Sequence, residues 1–250
     1  MRTYVAGGIV LSRMDLGEKD RILRILTKEY GKLSAVAKGC RKPGSRLAGA
    51  SEPFTYSLIQ LNQGRDLDVL SQADIRESFP NVRCDIDGLA HAIYMLELVD
   101  CFVDERQPNP DIFDTLLSSL YVLEGRTDPE ITVRHFELTL LDILGYTPRF
   151  VECARCESRS FGENVAYSPS LGGLVCPECG VPPNDAIWIP HALSSYIEAL
   201  RRTQPNMLRD LGFPKGARRD LAVVLKWHMR YRLERRLKSS EFLEQLTSQH

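Results

Sequence analysis

The chain has 250 residues, 43% hydrophobic and 26% charged, which suits a soluble globular protein and leaves room for one large domain or two to three smaller ones. No stretch approaches the ~20 apolar residues of a membrane span, and the start has no signal-peptide core, so an integral helical membrane protein is excluded and a reducing, cytoplasmic setting is expected. The net charge of −1 hides a segregation: residues 1–80 are net +4, 81–150 net −8, 151–185 net −3 and 186–250 net +6. Two basic ends flanking an acidic middle point to a surface that binds a polyanion; solvated charge that happens to cluster is the alternative.

The first 80 residues read as β structure. Thr3–Ser12 and Ile22–Lys28 are rich in Val, Ile and Leu, and Lys32–Lys38 follows the turn Tyr30-Gly31. Phe54, Tyr56 and Leu58 alternate with polar residues, as do Leu67 and Val69 after the turn at Asn62–Arg65. Period-2 alternation buries one face of a strand and wets the other. Five such strands with one longer connection, Gly39–Pro53, predict an OB-fold, although strand count alone fits an SH3-like barrel equally. Asp15, Glu18 and Asp20 read as the polar turn between strands one and two, with a divalent-ion site as the sharper alternative.

The long connection is basic. From Lys28 to Arg46 the cations Lys28, Lys32, Lys38, Arg41, Lys42 and Arg46 face Glu29 alone, net +5. Gly39, Pro43 and Gly44 keep the stretch out of regular structure, and mobile cationic side chains can follow a phosphate backbone without reading bases. Lys32, Lys38, Arg41, Lys42 and Arg46 are therefore candidate nucleic-acid-binding residues, with Ser45 as a hydroxyl donor. A solvated basic turn is the plain alternative.

From Pro80 the period becomes helical. Leu89, Ile93, Leu96, Val99 and Val103 form one apolar stripe; Asn109-Pro110 starts a second helix that ends at Gly125; Asp128-Pro129 starts a third that stops at Gly145. Two further helices are expected over Pro190–Arg202 and Gly216–Lys238. In the last, Arg219, Lys226 and Arg230 fall at spacings of 7 and 4, hence on one face, and form a second candidate nucleic-acid-binding set. Trp227 and Tyr231 beside them are able to stack on bases, but Trp227 is expected to pack inward. The alternative for these cations is pairing with acidic residues such as Asp100, Asp104 or Glu105.

Between the third and fourth helices stand two CxxC pairs, Cys153/Cys156 and Cys176/Cys179, separated by 19 residues. Two intervening residues let both thiolates of a pair reach one ion, and the glycine- and proline-rich segment between the pairs folds back to deliver the other two. That is the spacing of a tetrahedral zinc site; two disulfides or four core cysteines are the alternatives. Four thiolates leave no open position for water, so one structural zinc is expected. Cys40, Cys84 and Cys101 read as small apolar side chains.

Catalysis finds little support. The chain has neither a GxxxxGK[ST] loop nor GxSxG, and His91, His135, His191, His228 and His250 form no HExxH. A binding protein without turnover is expected. Rival readings are a zinc-containing nucleic-acid-modifying enzyme, marked by turnover dependent on Asp15 or Asp20, and a transcription regulator, marked by base-sequence preference.

Several blocks in order carry a resemblance: Asp15-x-Gly17-Glu18-x-Asp20-Arg21-Ile22, Leu26-Thr27-x-Glu29-Tyr30-Gly31-Lys32, Ala37-Lys38-Gly39-x-Arg41-Lys42 with Ser45, Leu140-Leu141-x-x-Leu144-Gly145-Tyr146-x-Pro148, the four cysteines, and Leu237-Lys238-Ser239. Together they resemble the RecO family of bacterial recombination mediators over essentially the whole chain. The resemblance implies an α+β protein: an OB-fold over residues 1–80, then a helical domain over 81–250 interrupted at 150–182 by a four-cysteine zinc module. It further implies binding of single- and double-stranded DNA, annealing of complementary strands, contact with the single-strand-binding protein (SSB), and action with RecR to load RecA. A cytoplasmic, nucleoid-associated setting follows. The family's DNA-contacting basic residues correspond to Lys38, Arg41, Lys42 and Arg46, and zinc is expected because all four cysteines are present.

Overall fold

Five strands close into a barrel in the order β1-β2-β3-β5-β4, with β4 returning to β1. They are β1 (Thr3–Leu16), β2 (Asp20–Thr27), β3 (Gly31–Ala37), β4 (Tyr56–Asn62) and β5 (Asp68–Glu77). The structure is a computed structural model that describes residues 2–233, Leu237 and Ser239; Lys238, the expected end of the last helix, lies outside the described residues. Strand β3 meets β5 in parallel register, Val36 opposite Val69, while every other pair is antiparallel. This Greek-key closure of five strands is the OB arrangement, which strand count alone left open. Alternating side chains fill the interior with Ala6, Val10, Leu23, Ile25, Leu33, Ala35, Ile59, Leu61 and Leu70. A bulge between Val10 and Ser12 lets β1 run 14 residues, beyond the expected end at Ser12.

The second and third predicted helices begin at their Asn109-Pro110 and Asp128-Pro129 signals. α1 (Pro80–Cys84) is a single short turn, and α2 (Ile86–Phe102) is capped by Asp85, which accepts from Gly88 N at 2.9 Å. α3 (Pro110–Glu124) is capped by Asn109, which accepts from Ile112 N at 3.1 Å, with Pro110 at the first helical position. α4 (Pro129–Ile143) departs from the single stripe expected of it. Every residue from Ile131 to Leu138 is buried, including Arg134 and Glu137, whose charges meet at 2.7 Å.

The described residues form two compact units, one ending at Pro129 and also containing Leu237 and Ser239, the other beginning at Glu130. Helices α1–α3 thus belong with the barrel, whereas sequence periodicity placed the boundary at residue 80. The reason lies in specific bonds. Arg24 donates to both oxygens of Asp100 at 3.0 Å, and Lys28 reaches Asp114 at 2.7 Å. Arg106 donates from its backbone to Lys32 O at 2.7 Å and from its side chain to the fully buried Asp68 at 3.0 Å. Gly31, with φ +72°, sits where an added Cβ would lie 2.3 Å from Gln107 O, so only glycine permits that approach.

The second unit contains a four-stranded sheet of order β6-β8-β7-β9: β6 (Arg149–Cys153), β7 (Asn164–Ser168), β8 (Gly173–Val175) and β9 (Ile187–Pro190). It extends past the expected limit of 182, because Ile187–Pro190 pairs with β7 rather than starting a helix. Helices α5 (Leu193–Arg202) and α6 (Lys215–Arg232) follow. Phe150 and Tyr167 stack at 5.1 Å in its interior, and the buried His228 ring bridges Tyr167 Oη at 2.7 Å and Tyr146 O at 2.8 Å. Burial pushes His228 down to about 4 and raises Tyr167, so the ring is neutral, with Nε2 donating and Nδ1 accepting.

Candidate nucleic-acid interface and metal centre

The basic loop follows directly from the β2–β3 hairpin. Register Arg21↔Ala37 brings the Gly17–Asp20 turn alongside Lys38 and the residues after it. Asp20 accepts from Gly39 N at 2.7 Å, and Arg41 N donates to Lys19 O at 3.0 Å. The Arg41 guanidinium donates to Gly17 O at 3.0 Å and pairs with Asp15 at 3.2 Å. Beyond Arg41 the chain advances by turns, with Lys42 N bonded to Gly39 O and Ser45 N to Lys42 O, both at 3.1 Å. Sequence reasoning expected a mobile loop; the structure shows a series of turns fastened to the β1–β2 turn.

Arg21 is the anchor of this end of the barrel. It donates to Ser51 Oγ at 2.8 Å and Glu52 at 3.0 Å, and pairs with Asp15 at 3.3 Å; Arg13 also pairs with Glu52. Arg21, Arg41, Lys42, Gly44, Gly49 and Glu52 border an open cleft of ≈ 490 Å³. Lys38, Arg41, Lys42 and Arg46 are exposed around this end. Long cations on a fixed base can meet phosphates at low entropic cost.

Lys32 departs from the sequence expectation. It is 6% exposed, and its Nζ donates to Asp100 O at 2.6 Å and lies 3.3 Å from the Asp100 carboxylate. Its place on β3 turns the side chain onto α2, so it fastens a helix to the barrel and is no DNA contact. The acidic cluster also acquires a role that sequence left open: Asp15 and Asp20 hold the loop's cation and backbone. The acidic cluster was visible in sequence, but its partners follow only from the hairpin register.

In the second unit, Cys153, Cys156, Cys176 and Cys179 converge, with all four Sγ atoms within 4.8 Å of one another. Cys153 and Cys156 flank the turn after β6; Cys176 and Cys179 flank the 3-10 turn after β8. Sγ separations are 3.7 Å for Cys153–Cys179 and 3.5 Å for Cys156–Cys176. A disulfide requires ~2.05 Å, whereas a tetrahedron of ~2.3 Å metal–sulfur bonds has edges of about 3.8 Å. The donor set and spacing therefore fit a tetrahedral metal ion. Burial opposes ionisation of Cys153, but backbone N–H groups of Cys176 and Arg155, each at 3.4 Å, bring it down to about 6. Hydrogen bonding with Cys156 and Cys176 pushes Cys179 up to about 12, the mutual opposition that a central cation relieves.

Helix α6 presents Arg219, Lys226 and Arg230 on one exposed face, as their spacing predicts. Its opposite side buries Leu221, Val224, Leu225, His228 and Met229. Trp227, expected inside, is instead 44% exposed, with the Arg230 guanidinium 5.6 Å from its ring centre. Of the acidic residues named as alternative partners, Asp100 holds Arg24 and Lys32, and Glu105 accepts from Ser34.

Two family models cover nearly the whole chain: Recombination protein O N terminal over residues 1–79 and Recombination protein O C terminal over 83–241. The chain belongs to the RecO family. The DNA repair protein RecO of Symbiobacterium thermophilum is 38% identical over 254 residues, covering 99% of each chain. That of Desulfitobacterium hafniense strain DSM 10664 / DCB-2 is 35% identical over 242 residues, 96% of this chain and 88% of the relative. That of Desulforamulus reducens is 32% identical, covering 98% of this chain and 96% of the relative. Family membership supports a role in DNA repair. Among the described residues, no helix is long and apolar enough to cross a membrane.

Proposed function

We propose that this protein is a recombination mediator that acts by binding DNA, not by making or breaking bonds. On this reading it holds single and double strands, anneals complementary strands, and works with RecR to place RecA on SSB-coated DNA in the nucleoid. The observation that carries the reading is the anchored cationic end of the barrel, where Lys38, Arg41, Lys42 and Arg46 are exposed on a loop tied down by Asp20 and Asp15.

Phosphates neutralised by these side chains release counterions, which favours any strand irrespective of sequence. Arg41 exchanges its Asp15 partner for phosphate, while Arg21 stays with Ser51 and Glu52 and keeps the base of the cleft in place. Arg219, Lys226 and Arg230 supply a second cationic surface on the other unit, so that two strands can be held by one molecule, as annealing requires. Zinc held by Cys153, Cys156, Cys176 and Cys179 shapes the second unit and takes no part in strand chemistry. The carboxylates that an enzymatic reading would need, Asp15 and Asp20, are already engaged by Arg21, Arg41 and Gly39 N. Binding of random single strands across a salt series, with Arg41→Ala/Lys42→Ala as comparison, tests the proposal; catalytic turnover abolished by Asp15→Asn would contradict it.

A further inference from the structure

Helix α6 carries more than charge on its outer face. Val223, Trp227 and Tyr231 recur every four residues and are 44%, 44% and 55% exposed. Arg219, Lys226 and Arg230 run beside them, and Arg230 lies over the Trp227 ring. Among the described residues of the helix no carboxylate is exposed on this face; Asp220, its one acidic residue, is half-buried. Water-facing aromatic side chains on a helix whose other side already buries five residues cost free energy unless a partner covers them.

Charge and shape together select the partner. A row of cations asks for a polyanion, and two rings on a convex ridge ask for flat apolar faces rather than a side chain that needs a socket. Trp227 and Tyr231 are four residues apart, ~6 Å along the helix axis. This exceeds the ~3.4 Å per nucleotide of a stacked strand. A strand opened out to meet both rings therefore loses its own stacking, which a duplex cannot do without melting. We infer that the exposed face of α6 is a single-strand-specific base-stacking site, in which Trp227 and Tyr231 each take a base and Arg219 and Arg230 take the adjoining phosphates. The inference rests on the DNA-binding reading above and deepens it by assigning base contact to this helix and phosphate contact alone to the barrel loop.

The test uses the full chain. Trp188 is the other of its two tryptophans, so in a Trp188→Phe background the fluorescence reports Trp227 alone. A random single-stranded oligonucleotide is expected to quench this emission, and an abasic strand of equal length is expected not to. Trp227→Ala/Tyr231→Ala should weaken single-strand binding by roughly thirtyfold or more, at 1–3 kcal/mol for each of two stacked bases. Binding to duplex, binding to the abasic strand and the salt slope should stay unchanged. Trp227→Phe/Tyr231→Phe should restore most of the loss. Equal weakening on the abasic strand, absence of quenching, or quenching by an acidic aromatic-ended peptide but not by the oligonucleotide would overturn the inference. Strand binding that persists through Arg41 and Lys42 with no dependence on the rings would refute stacking alone. Loss of all strand binding in the wild type would refute the broader reading.

Discussion

Replacing Cys176 with Ser removes one corner of the thiolate tetrahedron while leaving its backbone N–H bond to Cys153 Sγ available. The module has little else to hold it: two turns, after β6 and after β8, carry the four ligands on a sheet of four short strands, whose interior is the Phe150–Tyr167 stack with Val165, Ala166, Leu174, Val175 and Ile189. A structural zinc contributes on the order of 10–16 kcal/mol at neutral pH, as large as the ~5–15 kcal/mol that stabilises a whole domain. Losing the metal therefore removes the order of residues 149–190, not a few degrees of stability. Elemental analysis of the wild type should give about one zinc per chain, and the variant should purify with far less metal and a much lower folded yield. Chelator added to the wild type should release zinc and unfold the second unit with the same midpoint. A metal-free wild type that remains folded in reducing buffer would refute the reasoning.

Three further outcomes are expected. His228 is held at about 4 against an ordinary 6.5, so the unfolded chain takes up a proton that the folded chain refuses; stability should fall by about 3 kcal/mol as pH drops from 6.5 to 4, and melts of His228→Gln should show a lower but flatter profile. Arg83 donates to Ser78 O, Pro53 O and Thr55 Oγ1 at 2.6–2.9 Å while lying 4.0 Å from the Phe54 ring centre, an arrangement that a lysine cannot reproduce; Arg83→Lys should cost roughly 2–3 kcal/mol in thermal or denaturant unfolding, and an unchanged midpoint would deny it this anchoring role. Asp15→Asn releases Arg41 from a half-exposed ion pair worth ~0.2–1 kcal/mol, so single-strand affinity at low salt should rise by a few-fold at most; weaker binding would mean that Asp15 shapes the loop more than it competes with phosphate.

Much of this architecture could be read from spacing. Runs rich in Val, Ile and Leu, the Tyr30-Gly31 turn and two alternating stretches located the five strands, Asn109-Pro110 and Gly125 bounded α3, and the two CxxC pairs located the thiolate cluster, because each is a local signal with a local cause. What escaped was set by groups distant in sequence. Lys32 looked like part of a basic loop, yet strand parity and Asp100, 68 residues away, make it an internal tie. The family models divide the chain near residue 80, where periodicity placed the boundary, yet the compact unit runs on to Pro129, because Arg24, Lys28 and Arg106 bond across from barrel to helices, which periodicity does not register. Trp227 was expected inside because large aromatics usually are, whereas the helix had already filled its inner face with Leu221, Val224, Leu225, His228 and Met229. The Asp15 and Asp20 ties to the loop needed the β2–β3 register, not merely the presence of acidic residues.

The central claim is that the barrel's anchored cationic loop neutralises DNA phosphates, and the salt dependence of single-strand binding measures it most directly. With Arg41 and Lys42 both changed to Ala, the slope of log K against log salt should shrink by roughly 1.4, at ~0.7 for each phosphate no longer neutralised. A slope unchanged from the wild type would contradict the claim and assign the phosphates to other residues.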